Sequence, residues 1–197
     1  MKRRLSGVVF FAILVLPCLA LGATPLDTVK AGVTSVLDVL RNPKLQGESG
    51  RKVKEEKIEA AADNLFDFVE LSKRTLGLNW NKLTMDQRKE FVQLYKTVLK
   101  NAYVNRIMAY KDENVDFTKE VPLSDTTAEV QSRVVENGGK VSIDYRVIKE
   151  DSGWKVYDVV IEGVSLISNY RTQFREILGN NPPEKLLEVL RKKTGAL

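Results

Sequence analysis

Asp158 sits among the apolar residues of WKVYDVVIEG, 154–163, where a carboxylate is costly unless something pairs with it. Two chemistries follow. It is either a general acid or base with a perturbed titration, or a group bonded to a nearby backbone amide or cation. Arg171 and Arg175 stand on the segment after Gly163 and are its candidate partners. Arg171 could instead meet a phosphate, although a solvated or ion-paired arginine is the commoner outcome. Tyr145 and Tyr157 are the groups that could share a proton with Asp158. The structural role is favoured, because no catalytic partner stands at a defined spacing.

The rest of the composition points away from catalysis. The chain has 0 histidines and 1 cysteine, Cys18, which removes serine and cysteine triads, the common zinc sites and the usual proton shuttle near neutral pH. No carboxylate pair stands out from surface charge. Gly138 and Gly139 belong to a hairpin rather than to a phosphate-cradling loop between strand and helix. The expectation is a non-enzymatic protein with no cofactor and no metal.

Residues 1–23 read as a secretory signal peptide, with Lys2, Arg3 and Arg4 as the basic start, Val8 to Leu16 as the apolar stretch and Ala20-Leu21-Gly22 before the cut. The apolar stretch is short for a membrane span. Of 31 Lys+Arg and 26 Asp+Glu, cleavage removes three cations and leaves 28 against 26, so nucleic acid is not an expected partner. Cys18 falls within the signal, with Pro17 where a lipidated cysteine wants a small residue. A mature chain without cysteine suits an oxidising compartment. Residues 24–197 are long enough for one domain with a real core.

The elements that would position these groups are legible from their periods. Thr24-Pro25 caps a first helix carrying Leu26, Val29, Val33, Val36 and Leu40 until Asn42-Pro43. Helical patterning returns over 51–62 and 65–76, and Thr84 with Gln87 makes a capping box before a long helix reaching Tyr110. That helix has two apolar stripes, Phe91, Tyr95, Val98 and Ala102 on one, Val92, Leu99, Tyr103 and Ile107 on the other. Strand alternation then covers 115–121, 127–135, 141–147 and the Trp154 segment, with a turn at Asn137-Gly138-Gly139. Along the last strand Trp154, Val156 and Val160 should share one side with Asp158, and Lys155, Tyr157, Val159 and Ile161 the other. Glu162-Gly163 breaks the period, and Leu166, Ile167, Tyr170, Phe174, Ile177 and Leu178 form one helical stripe. A final helix runs over about 183–193. Helices, then strands, then helices make an α+β fold, a helical layer on a curved four-stranded antiparallel sheet, in a single domain.

The segments FDFVELSKRTLG, LTMDQRKEFVQLYKTVLKNAYVNRIMAY and WKVYDVVIEGVSLISNYR resemble, in this order, the MlaC or toluene-tolerance family of periplasmic phospholipid-binding proteins. Periodicity alone favours solid packing between the strands and the helix after Gly163. The resemblance instead implies a pocket for acyl chains, with the polar head near its mouth, in a carrier moving phospholipid between the outer membrane and an inner-membrane ABC transporter. It also implies the partners: phospholipid, an inner-membrane transporter complex bearing an MCE-domain ring, and an outer-membrane lipoprotein complex. The carrier itself is expected to be a monomer in the periplasm.

Faces and patterns assign the lining of such a pocket. From the helices come Phe66, Leu76, Phe91, Tyr95, Leu99 and Tyr103. From the strands come Tyr145, Val147, Trp154, Val156 and Val160. From the bend and last stripe come Val164, Leu166, Ile167 and Tyr170, with Arg171 as a head-group contact. Two rival readings are a small cone-shaped α+β enzyme using Asp158 with Tyr145 or Tyr157, and a periplasmic adaptor with a filled core and an apolar surface patch.

Overall fold

The computed structural model describes residues 22–110, 114–136 and 139–196. The expected signal peptide, including Cys18, lies almost wholly outside the described residues, as do Asn137 and Gly138 of the expected hairpin turn. No helix among the described residues is long and apolar enough to cross a membrane.

Helix α1 (Pro25–Arg41) starts at a capping box in which the Thr24 hydroxyl accepts from the Asp27 amide and the Asp27 carboxylate accepts from the Thr24 amide. Helix α2 (Glu48–Leu65) folds back along α1. The two approach closely at Gly32, where an added Cβ would lie 2.7 Å from a Leu65 methyl. Helix α3 (Phe68–Leu76) follows on an Asp67 cap, and α4 (Met85–Ala109) begins at the Thr84–Gln87 capping box read from the sequence. After the sheet come α5 (Leu166–Leu178) and α6 (Pro183–Thr194).

The sheet is an antiparallel meander of β1 (Asn114–Ser124), β2 (Thr127–Glu136), β3 (Gly139–Glu150), β4 (Gly153–Ile161) and β5 (Val164–Ser165), in that spatial order. It thus has five strands rather than the expected four. The fifth arises because Glu162 and Gly163, at φ 48° and 79°, form a two-residue turn that sets Val164 opposite Ile161 and Ser165 opposite Val160. Gly163 takes the left-handed backbone without strain. Glu162 is held there by its amide, which donates to the Ser142 carbonyl at 3.0 Å, and by its carboxylate, which accepts from the Ser142 amide.

The strict alternation expected along β4 fails at Tyr157. Arg146 of β3 faces Asp158 while the next residue, Val147, faces Val156, so Tyr157 is an extra residue in β4, a β-bulge. Beyond it every side chain changes face. Val159 and Ile161, not Val160, join Trp154 and Val156 on the inner side, opposite Tyr145 and Ile143. Asp158 and Val160 take the outer side with their partners Arg146 and Asp144.

Two cores result. One joins the helices: Phe91, Tyr95, Tyr170 and Phe174 pack ring against ring, with centroids 5.1–5.7 Å apart, among leucines of α3, α4 and α6. The other lies on the inner face of the sheet, where Val29 of α1 covers Ala128, Val130, Val147 and Val156.

Candidate functional site

Beyond Val29 the inner face of the sheet is no longer filled. A cavity of about 320 Å³ opens between it and the C-terminal half of α1, with α2 and the C-terminal half of α4 closing the other sides. That volume lies at the lower end of ordinary ligand pockets, roughly 300–1,000 Å³. Helix α1 contributes Val33, Val36, Leu37 and Leu40, and α2 contributes Ile58, Ala61 and Ala62. Leu99, Tyr103, Val104 and Ile107 come from α4. The floor is Val134, Ile143, Tyr145, Val159 and Ile161 of the sheet.

The polar groups near this space are neutral or paired. The Ser132 hydroxyl, on the inner face of β2, donates to the Ile143 carbonyl at 2.6 Å. Burial pushes the Tyr145 phenol well above its usual range, with the nearby Tyr110 phenol adding to it, and burial does the same more weakly to Tyr103. Both therefore remain uncharged hydroxyls. The charged residues lining the cavity, among those described, are Glu55, Glu59, Lys96 and Lys100, which meet where α2 passes α4. The chamber is thus apolar inside with one charged edge. Such a space can shelter hydrocarbon while a polar group stays at the rim.

Five residues expected on a pocket wall, Phe66, Leu99, Tyr103, Tyr145 and Leu166, are brought together around this cavity. The others go elsewhere, for identifiable reasons. Leu76, Phe91, Tyr95, Ile167 and Tyr170 are spent in the helical core, because α4 turns its N-terminal half to α5 and α6 and only its C-terminal half to the cavity. Val147 and Val156 are sealed in the sheet-side core, with Trp154 packed half-buried against it. Val160 is carried to the outer face by the Tyr157 bulge. Val164, in the short β5, is 58% exposed.

The residues that sequence reasoning missed are those of the α1–α2 hairpin, Val104 and Ile107 of α4, and Val134, Ile143, Val159 and Ile161 of the sheet floor. The hairpin's periods make 25–41 an amphipathic helix and 51–62 a further helical segment, and assign no residue of either to a pocket wall. The available signal was the run of small residues, Gly32 in α1 and Ala60 to Ala62 in α2, which lets two helices pack together while leaving room beneath them.

Asp158 is 1% exposed and lies apart from the cavity, at the start of α5. One carboxylate oxygen accepts from the Ile167 amide at 3.1 Å; the other accepts from the Ser165 hydroxyl at 2.6 Å and from Arg146 at 3.4 Å. Ser165 in turn caps α5 by accepting from the Ser168 amide at 3.1 Å. The buried charge is met by a helix N-terminus and an arginine. Arg146 is the cation that pairs with it, whereas Arg171, expected as partner or head-group contact, donates to the Arg74 carbonyl at 2.6 Å. Arg175 is exposed.

Fold and cavity together define a single α+β domain in which a helical layer and one face of an antiparallel sheet enclose a hydrocarbon-lined chamber. The family model described as MlaC protein matches residues 30–192, and the chain belongs to that family. It is 24% identical over 168 residues to the toluene tolerance protein ttg2D of Pseudomonas putida, covering 84% of this chain and 78% of that protein. It also superimposes, at a TM-score of 0.78 and 27% identity, on the phospholipid-binding protein from Ralstonia solanacearum solved in complex with a phospholipid, covering 88% of this chain and 98% of the other.

Proposed function

We propose that this chain is a periplasmic, non-enzymatic carrier that holds a phospholipid by its acyl tails and moves it between the outer membrane and an inner-membrane ABC transporter. The observation that carries the reading is the apolar cavity of about 320 Å³ under the α1–α2 hairpin. Each methylene withdrawn from water is worth about 0.8 kcal/mol, so a tail of ordinary length gains on the order of 10 kcal/mol from such walls. That is the cost a free lipid faces in crossing water, and a soluble shelter offsets it without any covalent step. Membership of the MlaC family and the phospholipid held by the Ralstonia relative support the same ligand. The structural employment of Asp158 supports a carrier over an enzyme. The partners on this reading are an MCE-domain transporter complex in the inner membrane and a lipoprotein complex in the outer membrane, with the carrier acting as a monomer.

The test is native mass spectrometry of the freshly purified mature protein, followed by solvent extraction and lipid analysis. Bound phospholipid is the expected result. A protein repeatedly recovered without lipid, and unable to take any from vesicles, refutes the reading.

A further inference from the structure

The charged edge of the cavity has an order of its own. Glu55, Glu59 and Asp63 are spaced four residues apart along one stripe of α2, and Lys96 and Lys100 have the same spacing on α4. Across the seam Lys100 lies 2.5 Å from Glu59, and Lys96 lies 2.7 Å from Asp63 and 3.3 Å from Glu59. Arg51 extends the ladder, 3.1 Å from Glu55 and 2.8 Å from the Asn105 side-chain oxygen. Three cations therefore face three carboxylates, and the seam has no net charge.

Four members of this ladder, Glu55, Glu59, Lys96 and Lys100, line the cavity and also reach solvent. The remaining lining is apolar or phenolic, so a phosphodiester drawn deeper would lose its hydration without gaining a cation. Among the described lining residues, this seam is the part that offers charged side chains to a head group tethered to tails in the cavity. Each ammonium carries three N–H donors, and the contacts above leave donors over for phosphate oxygens. The carboxylates beside them have acceptor lone pairs for a second, cationic group.

We propose that the α2–α4 seam selects zwitterionic phospholipids, with Lys96 and Lys100 receiving the phosphate and Glu59, flanked by Glu55 and Asp63, receiving the head-group ammonium. This rests on the lipid-carrier reading and adds the head-group class to it. A phosphate alone would upset a neutral ladder, because its negative charge would compete with Glu59 for the same lysines. A phosphate followed by an ammonium preserves the balance. A lipid of net negative charge is thereby disfavoured.

The experiment loads delipidated protein from vesicles containing equal amounts of phosphatidylethanolamine and phosphatidylglycerol with matched chains, and measures both lipids in the recovered protein. The wild type should enrich phosphatidylethanolamine over the vesicle ratio by about fivefold, the scale of one partly exposed charge contact. Raising the salt concentration should shrink that preference. Glu59→Lys, which makes the seam cationic, should shift the ratio toward phosphatidylglycerol by about fivefold or more, and Lys100→Glu should shift it the other way. A bound ratio equal to the vesicle ratio, or favouring phosphatidylglycerol, in the wild type overturns the proposal while total uptake leaves the carrier reading standing. Absence of uptake by every form overturns both. Should a variant fail to fold, the wild-type ratio and its salt dependence decide the matter.

Discussion

Replacing Asp158 with asparagine separates a structural carboxylate from a catalytic one. The side chain keeps its shape, but one oxygen becomes an NH2 group. If the amide oxygen stays on the Ile167 amide, the NH2 faces the Ser165 hydroxyl, which must turn from donating to accepting, and Arg146 beyond it, where donor meets donor and the compensating negative charge is gone. A hydrogen bond to a charged group is worth about 1.5–3 kcal/mol. The Arg146 contact, long at 3.4 Å and on a partly exposed guanidinium, adds less than about 1 kcal/mol. Asp158→Asn should therefore destabilise the fold by about 2–4 kcal/mol and lower Tm by about 5–15 °C in a domain of this size. Urea unfolding followed by circular dichroism reads this as a lower midpoint with an unchanged slope. Lipid carried by the folded variant at room temperature should match the wild type. An unfolding free energy within about 0.5 kcal/mol of wild type would refute the capping account. Loss of a measurable turnover at unchanged stability would give Asp158 to catalysis instead.

Ala62→Trp places an aromatic ring on the cavity wall and should reduce lipid uptake about tenfold for every two methylenes displaced, each about 0.8 kcal/mol; uptake equal to wild type, measured by lipid extraction, would mean that tails lie elsewhere. Gly163→Ala forces a side chain into a backbone at φ 79° and should cost about 1–2 kcal/mol in thermal or chemical melts. Stability should change little from pH 8 down to about 5, since there are 0 histidines to titrate; the Glu150 carboxyl, held above its ordinary 4.5 by hydrogen bonding to Asp67 and by burial, adds only a small gain as pH falls through its raised titration. Hydrogen bonds from Lys100 hold the Glu59 carboxyl below its ordinary 4.5, and those from Lys192 hold Glu188 at about 2. Both prefer the ionised form when folded, so their stabilisation is complete above about pH 4.5 and is lost as pH falls toward 2, visible as a declining Tm across that window. With 0 histidines to gain charge, lipid loaded at pH 7 should remain bound at pH 5.5; release on mild acidification alone, measured by vesicle capture, would refute this.

Local rules were enough to delimit most elements. The caps at Thr24 and Thr84, the stop at Asn42-Pro43 and the alternation through β2 and β3 act over a few residues, and the helices and strands lie close to where those signals put them. β5 escaped because a two-residue pairing leaves too short a pattern to register. The cavity wall was only partly legible. Leu99 and Tyr103 could be placed by stripe, yet Phe91 and Tyr95 carry the same apolar signature on the same helix and end in solid core. A hydrophobic stripe reports that a face leaves water, not whether the space it enters is filled.

What the chain alone determined, then, was the order of its elements, the single α+β domain and the lack of any histidine to shuttle protons near neutral pH. Those follow from composition and from contacts between near neighbours in sequence. Only the tertiary structure decided that one extra residue, Tyr157, turns Val159 and Ile161 inward and Asp158 outward, and that Gly32 and Leu65 draw α1 and α2 into a roof over an unfilled space. The physical reason is range: a bulge exists only relative to the neighbouring strand, and a cavity only where packed elements fail to meet.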